Sequence, residues 1–196
     1  MTRILGLLAL IATAAVLGGC AHPISLSPNL GNLTASSGGA KVDKAVGLLI
    51  PASEIVREVT SGGGGGDSVR YQPYRDLEAG LYLAVGEAFT KVTRVSGPSD
   101  PKISAEGLNY VLTPMLTTIS SSPSMFTWPP TQFSVEIKAF IDDAGGKRVA
   151  QVDVRGEGRA EFDEFKSDTS LSARRAAEDA LKKFVLALKE LRTKLR

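Results

Sequence analysis

One cysteine, one histidine and one tryptophan occur in 196 residues, and each scarcity closes off a class of chemistry. With Cys20 alone there is no disulfide framework, and no thiol nucleophile in the body of the chain. With His22 alone, near the N-terminus, neither a Ser-His-Asp nor a Cys-His constellation can be assembled in a folded domain. The Cys and His clusters of a zinc site are missing as well. The expectation is a non-enzymatic protein without cofactor or metal. Charge of one sign is also lacking: 23 Lys and Arg stand against 21 Asp and Glu, a net charge of +2. That leaves no basic surplus for nucleic acid and no acidic tail. Beyond the first residues no apolar run approaches the roughly 20 residues that a membrane-spanning helix needs.

What is present begins at the N-terminus. Arg3 precedes an apolar run from Ile4 to Val16, and small residues follow in Leu17-Gly18-Gly19 before Cys20. A positive charge, a short hydrophobic stretch and small residues form the plan of a signal peptide over residues 1–19. The cysteine directly after the small residues resembles a bacterial lipobox. The resemblance implies that Cys20 receives a diacylglycerol group, becomes the first residue after cleavage and is then N-acylated, a palmitate-type lipoprotein anchor. Acyl chains gain about 0.8 kcal/mol per buried methylene, so three of them hold a domain on a membrane. Ala21 stands where an Asp usually marks inner-membrane retention. The same resemblance therefore implies an outer-membrane lipoprotein facing the periplasm. An ordinary secretory signal, cut before a free thiol, is the plainer alternative.

Residues 20–41 read as the acylated Cys and a flexible tether, rich in Pro, Gly and Ser, although Ile24, Leu26, Leu30 and Leu33 allow part of it to lie along the fold. Residues 42–196 read as a single domain. Ala45 to Ile50, ended by Pro51, is short and apolar as a buried strand is. Gly62 to Gly66 form a hinge or loop tip, and Asp67 in place of a Lys-Ser/Thr pair argues against a phosphate loop. From Tyr74 to about Lys91, Leu77, Leu81, Ala84, Val85 and Ala88 recur at helical spacing. Leu108 to Ile119 is a strand, with Pro114 predicting an edge or a bulge. Phe133 to Ile141 alternates strictly, the turn Asp142–Gly146 follows, and Arg148 to about Phe162 alternates again, predicting a β-hairpin. Gly156 and Gly158 predict a bulge or a close backbone approach. The last helix begins near Leu171. The fold class is α+β: a mostly antiparallel sheet with two helices packed on one face.

Three features invite a functional reading. Asp142-Asp143 sits where a turn wants Asp for backbone reasons. Glu161, Asp163, Glu164 and Asp168 form an acidic group that matches neither a calcium loop nor a paired-carboxylate site. The segment Ser120 to Pro130 displays Met125, Phe126 and Trp128 in a Ser/Pro-rich connection between strands. Phe126 and Trp128 are candidate partner-binding residues, because interface hot spots favour aromatics. Trp128 capping the sheet from the loop is the alternative reading.

Taken together, Leu17–Cys20, the Ala45–Ile50 strand, Tyr74-Arg75-Asp76-Leu77, Asn109-Tyr110-Val111-Leu112, the alternating Phe133–Ile141 strand and the final amphipathic helix resemble the YajG-type family of bacterial lipoproteins. That resemblance implies an outer-membrane, periplasm-facing lipoprotein with no catalytic residues to carry over. The expected function is a non-catalytic accessory of the cell envelope, held by its lipid anchor and meeting an envelope protein partner through the Phe126/Trp128 loop or an edge strand near Pro114. A periplasmic binding module for a lipid, glycan or other small ligand is the alternative.

Overall fold

A computed structural model describes residues 21–34, 39–62, 68–122 and 132–195. In chain order the elements are β1 (Ala21–Pro23), α1 (Gly31–Thr34), β2 (Val42–Leu49), α2 (Ala52–Ile55), β3 (Val59–Gly62), β4 (Ser68–Tyr71), α3 (Pro73–Ala88) and β5 (Phe89–Val95). They continue with α4 (Lys102–Ala105), β6 (Tyr110–Ser121), β7 (Gln132–Asp143), β8 (Arg148–Arg159), α5 (Phe162–Ser167) and α6 (Leu171–Glu190). The main sheet has the order β5-β2-β6-β7-β8, and a small sheet has the order β1-β4-β3. The fold class is α+β, as the sequence predicts.

The long hairpin sets the frame. Along β7 the odd residues Phe133, Val135, Ile137, Ala139 and Ile141 are buried, because alternate side chains of a strand share one face. Val152 and Val154 continue that face on β8, opposite Ala139 and Ile137. Helices α3 and α6 cover it with Leu77, Leu81, Ala84, Val85, Ala177, Leu181, Phe184 and Leu188, which form one apolar core with the strands. The strands are not all antiparallel. β2 runs parallel to both β5 and β6, while β6-β7-β8 are antiparallel. The crossover through α3 imposes the parallel arrangement, because a helix returns the chain to the end at which it started. Phe89 begins β5 directly after α3, two residues before the predicted helix end near Lys91.

The predicted close approach at Gly156 and Gly158 is present, without a bulge. The register Val135↔Gly156 and Phe133↔Gly158 is continuous. A Cβ at Gly156 would lie 2.2 Å from the Ala180 nitrogen, and one at Gly158 would lie 2.0 Å from the Ser172 carbonyl oxygen. Facing Ala176 and Ala180, these glycines let α6 settle on the β8 backbone itself.

The tether expected over 20–41 is corrected in its described part. Residues 21–34 lie along the fold as a strap. β1 pairs parallel with β4, and Leu26 and Leu33 are fully buried. The Ser25 amide donates to the Ser170 hydroxyl (3.1 Å), the Leu26 amide to Asp76 (2.7 Å) and the Asn29 amide to Glu178 (2.9 Å). Pro28 sits over Gly80, 3.3 Å from the place a Cβ would take. The strap thus closes the seam between α3 and α6, and its two leucines fill space that neither helix fills alone.

An open sheet face and its cleft

The outer face of the sheet is covered over only part of its width. Beside β5 and β2 the segment carrying α4 folds back, and Val95, Ile103, Leu108 and Val111 make a second, small core there with Ala45 and Leu49. Across β6, β7 and β8 the face carries no element among the described residues, and it is open in that sense. Paired residues of antiparallel strands point to the same side, so this face carries the rows Thr117–Glu136–Arg155 and Met115–Lys138–Asp153. Ile119, Ser134 and Glu157 form the next row, then Ser121, Gln132 and Arg159.

Met115 and Ile119 are 54% and 52% exposed within these charged rows. The charges are largely paired: Lys138 with Asp153 (3.4 Å), Arg155 with Glu157 (3.3 Å) and Arg159 with Glu161 (3.5 Å). Arg148 lies over the Phe140 ring, 4.1 Å from its centroid, and pairs with Asp142. Exposed pairs of this kind add little stability. They leave the surface with both signs and no surplus of either. At its β6–β7 end the face deepens into a cleft of about 350 Å3, bordered by Ile119, Ser134, Arg155, Glu157 and Arg159. The sequence analysis missed these residues, since outward polar residues on an alternating strand look like ordinary solvated surface. The signal that could have found them is the Arg/Glu alternation at 155, 157 and 159 against glycines at 156 and 158. Small residues inward and charged residues outward mark a strand pressed tightly on one side only.

The other predicted sites fall out differently. Cys20, Phe126 and Trp128 lie outside the described residues, as does most of the glycine run, residues 63–67. The strands on either side of it, β3 and β4, pair antiparallel. Asp143 accepts the amides of Gly145 and Lys147, both at 2.9 Å, and Gly146 takes φ +84°, the turn the sequence predicts. In the acidic group, Glu164 accepts both guanidinium nitrogens of Arg175 (2.9 and 2.8 Å) and the Glu161 amide (3.0 Å). Those donors, Arg175 first, hold its carboxyl down at about 2. Asp168 pairs with Arg174. These carboxylates tie α5 to α6. Among the described residues no group of three or more His, Cys, Asp or Glu is placed to hold a metal.

The edge expected near Pro114 is closed. β6 is an inner strand, paired to β7 without a bulge, and it outruns β2 beyond Leu112. There the Tyr74 hydroxyl accepts the Leu116 amide (3.0 Å) and donates to the Pro114 carbonyl (3.4 Å). Burial pushes this hydroxyl's pKa up. Pro114 gives up an N–H that would have faced this side, so the β7 ladder loses nothing. Further along, the Tyr71 hydroxyl meets Thr118 (2.9 Å) and the Ser61 hydroxyl meets Ser120 (2.6 Å). The β8 edge is blunted too. Lys183 donates to the Arg155 carbonyl, Asp179 accepts the Glu157 amide and Arg175 donates to the Arg159 carbonyl, all from α6 onto β8. Main-chain pairing with a partner is therefore blocked along this stretch of β8.

No family model matches the chain, and no curated protein matches it. Solved structures resemble it in shape. A protein of the DUF330 family from Xanthomonas campestris is 17% identical with a TM-score of 0.47, over 87% of this chain and 88% of its own. A candidate lipoprotein from Caulobacter crescentus is 14% identical with a TM-score of 0.37, over 83% and 96%. A PelC dodecamer from Paraburkholderia phytofirmans is 11% identical with a TM-score of 0.42, over 78% and 93%. The chain is thus similar to structures that include a bacterial candidate lipoprotein, and none of the three carries the YajG-type name. What each of these proteins does stays with that protein. Among the described residues no helix is long and apolar enough to cross a membrane.

Proposed function

We propose that the chain is a lipoprotein of the outer membrane, acylated at Cys20 and facing the periplasm, that acts without catalysis by holding another envelope protein on the open face of β6, β7 and β8. The observation that carries this reading is the face itself. Met115 and Ile119 stand exposed in the middle of rows of paired charges. An apolar centre in a polar surround is the anatomy of a protein contact surface. Because the ion pairs already satisfy one another, a partner gains by covering the apolar centre rather than by neutralising charge. The Phe126/Trp128 segment, which joins β6 to β7 in the chain, belongs to the same contact in this reading. Anchoring supplies the rest of the mechanism, since two proteins held on one membrane meet at a raised effective concentration.

The test is photo-crosslinking in intact cells, with the reactive residue in place of Ile119 and, as control, in place of Glu190. One discrete protein adduct at 119 and none at 190 is the expected result. Equal labelling at both sites removes the contact reading. Cys20→Ser checks the anchor separately: the variant should leave the membrane pellet, and full retention there would end the lipoprotein reading. The cleft supports a second reading, a binding module for a lipid, glycan or small anionic ligand held by Arg155 and Arg159. A rise in melting temperature with such a ligand, lost in Arg155→Ala, would favour it.

A further inference from the structure

Paired positions trace a line across both sheets at one end of the molecule. Ala21 lies opposite Ser68, and Ser68 opposite Gly62. The Gly62 carbonyl accepts the Ser120 hydroxyl at 3.1 Å. Ser120 lies opposite Phe133, and Phe133 opposite Gly158. The last residues of β6, the first of β7 and the last of β8 therefore share an end with Ala21. The β7–β8 turn at Gly145–Lys147 lies at the other end, about 35–40 Å away along the hairpin.

We propose that the end bearing Ala21, Ser68, Gly62, Ser120 and Gln132 lies directly against the lipid bilayer, with no stem between membrane and domain. The inference rests on the anchor reading of Cys20 and adds to it an orientation. A free segment of 21 residues would reach roughly 70 Å when extended and would let the domain turn at will. The strap removes that freedom. Cys20 is one peptide bond from Ala21, a Cα separation of about 3.8 Å. Ala21 is already paired with Ser68, and the residues after it are held by the buried Leu26 and Leu33. An acyl chain rooted at Cys20 draws this end to the headgroups and no other.

The chemistry of the end fits a lipid surface of any charge. Phe162 stands exposed there. The neighbouring charges are matched, Arg155 with Glu157, Arg159 with Glu161 and Lys166 with Asp163. The contact is thus apolar and anchor-driven, and it does not need anionic lipid.

The test uses the acylated full chain in vesicles of phosphatidylethanolamine and phosphatidylglycerol that contain a headgroup nitroxide lipid. With Cys20 acylated, an introduced cysteine is the sole free thiol. A fluorophore on Gln132→Cys or on Glu161→Cys should be quenched several-fold more than one on Lys147→Cys, and equally so in phosphatidylcholine vesicles. Inserting about twenty Gly/Ser residues between Cys20 and Ala21 should keep the chain on the vesicles while erasing the difference. Equal quenching at 132, 161 and 147 without the insert overturns the orientation and leaves the anchor standing. An acylated chain that does not sediment with vesicles overturns the anchor and the orientation together.

Discussion

Gly158 and Gly80 are both glycines in tight places, and the difference between them shows what decides a side chain's cost. At Gly158 an added methyl meets the Ser172 carbonyl oxygen at 2.0 Å and the Ala176 nitrogen at 2.4 Å, both backbone of α6. Nothing there can rotate aside, so Gly158→Ala pushes the helix off the sheet and should lose about 3 kcal/mol. At Gly80 the nearest atom is Leu181 Cδ1 at 2.6 Å, the far end of a flexible chain. Gly80→Ala should lose about 1 kcal/mol, with the helical preference of Ala offsetting part of the strain. Urea denaturation of the two variants checks the order, and equal losses would contradict the close approach. This is also where the sequence was most legible. The alternation from Phe133 to Ile141 announces the strand, and glycines at 156 and 158 announce something unusual on its neighbour. It could not tell a bulge from a close approach, because that depends on how near α6 comes, and α6 lies in a different part of the chain.

Among the elements, α5 is a short helix with Phe165 buried and with Glu164 tied to α6 by charge. Glu164, fixed by Arg175 and the Glu161 amide, has its carboxyl at about 2 instead of the usual 4.5. An acid held low in the fold and released on unfolding stabilises the fold above its unfolded value, and that contribution is lost as pH falls from about 4.5 toward 2. The melting temperature of the native protein should therefore fall more steeply over this window than that of Glu164→Gln, while the two curves run parallel above pH 6. Identical slopes from 4.5 to 2 would show that Glu164 is not held as described. The sequence places these four acids together and says nothing of the partners of Glu164 and Asp168, since Arg175 and Arg174 reach back from another helix. The Pro114 edge has a similar explanation. A proline in a strand signals an unpaired side, and here that side is real, but Tyr74 from α3 covers it. Proline predicts the gap, and only the tertiary fold supplies the cover.

For the molecule as a whole, the strap is the feature that composition hid. Pro, Gly and Ser make up 9 of residues 21–41 and give the segment the look of a tether, although Ile24, Leu26, Leu30 and Leu33 leave room for part of it to lie along the fold. The groove that takes Leu26 and Leu33 exists only after α3 and α6 have packed. Leu26→Ala should lose about 2–5 kcal/mol and expose the strap to limited proteolysis before the hairpin is touched. A variant cut at the same rate as the native protein would show that the strap is not held by this side chain.

The strap ties together parts of the chain that lie far apart in sequence: Ser25 with Ser170 and Asn29 with Glu178 on one side, Leu26 with Asp76 on the other. Contacts of such long sequence separation are the slow kind to close in folding. The strap thus acts as a clasp across α3 and α6.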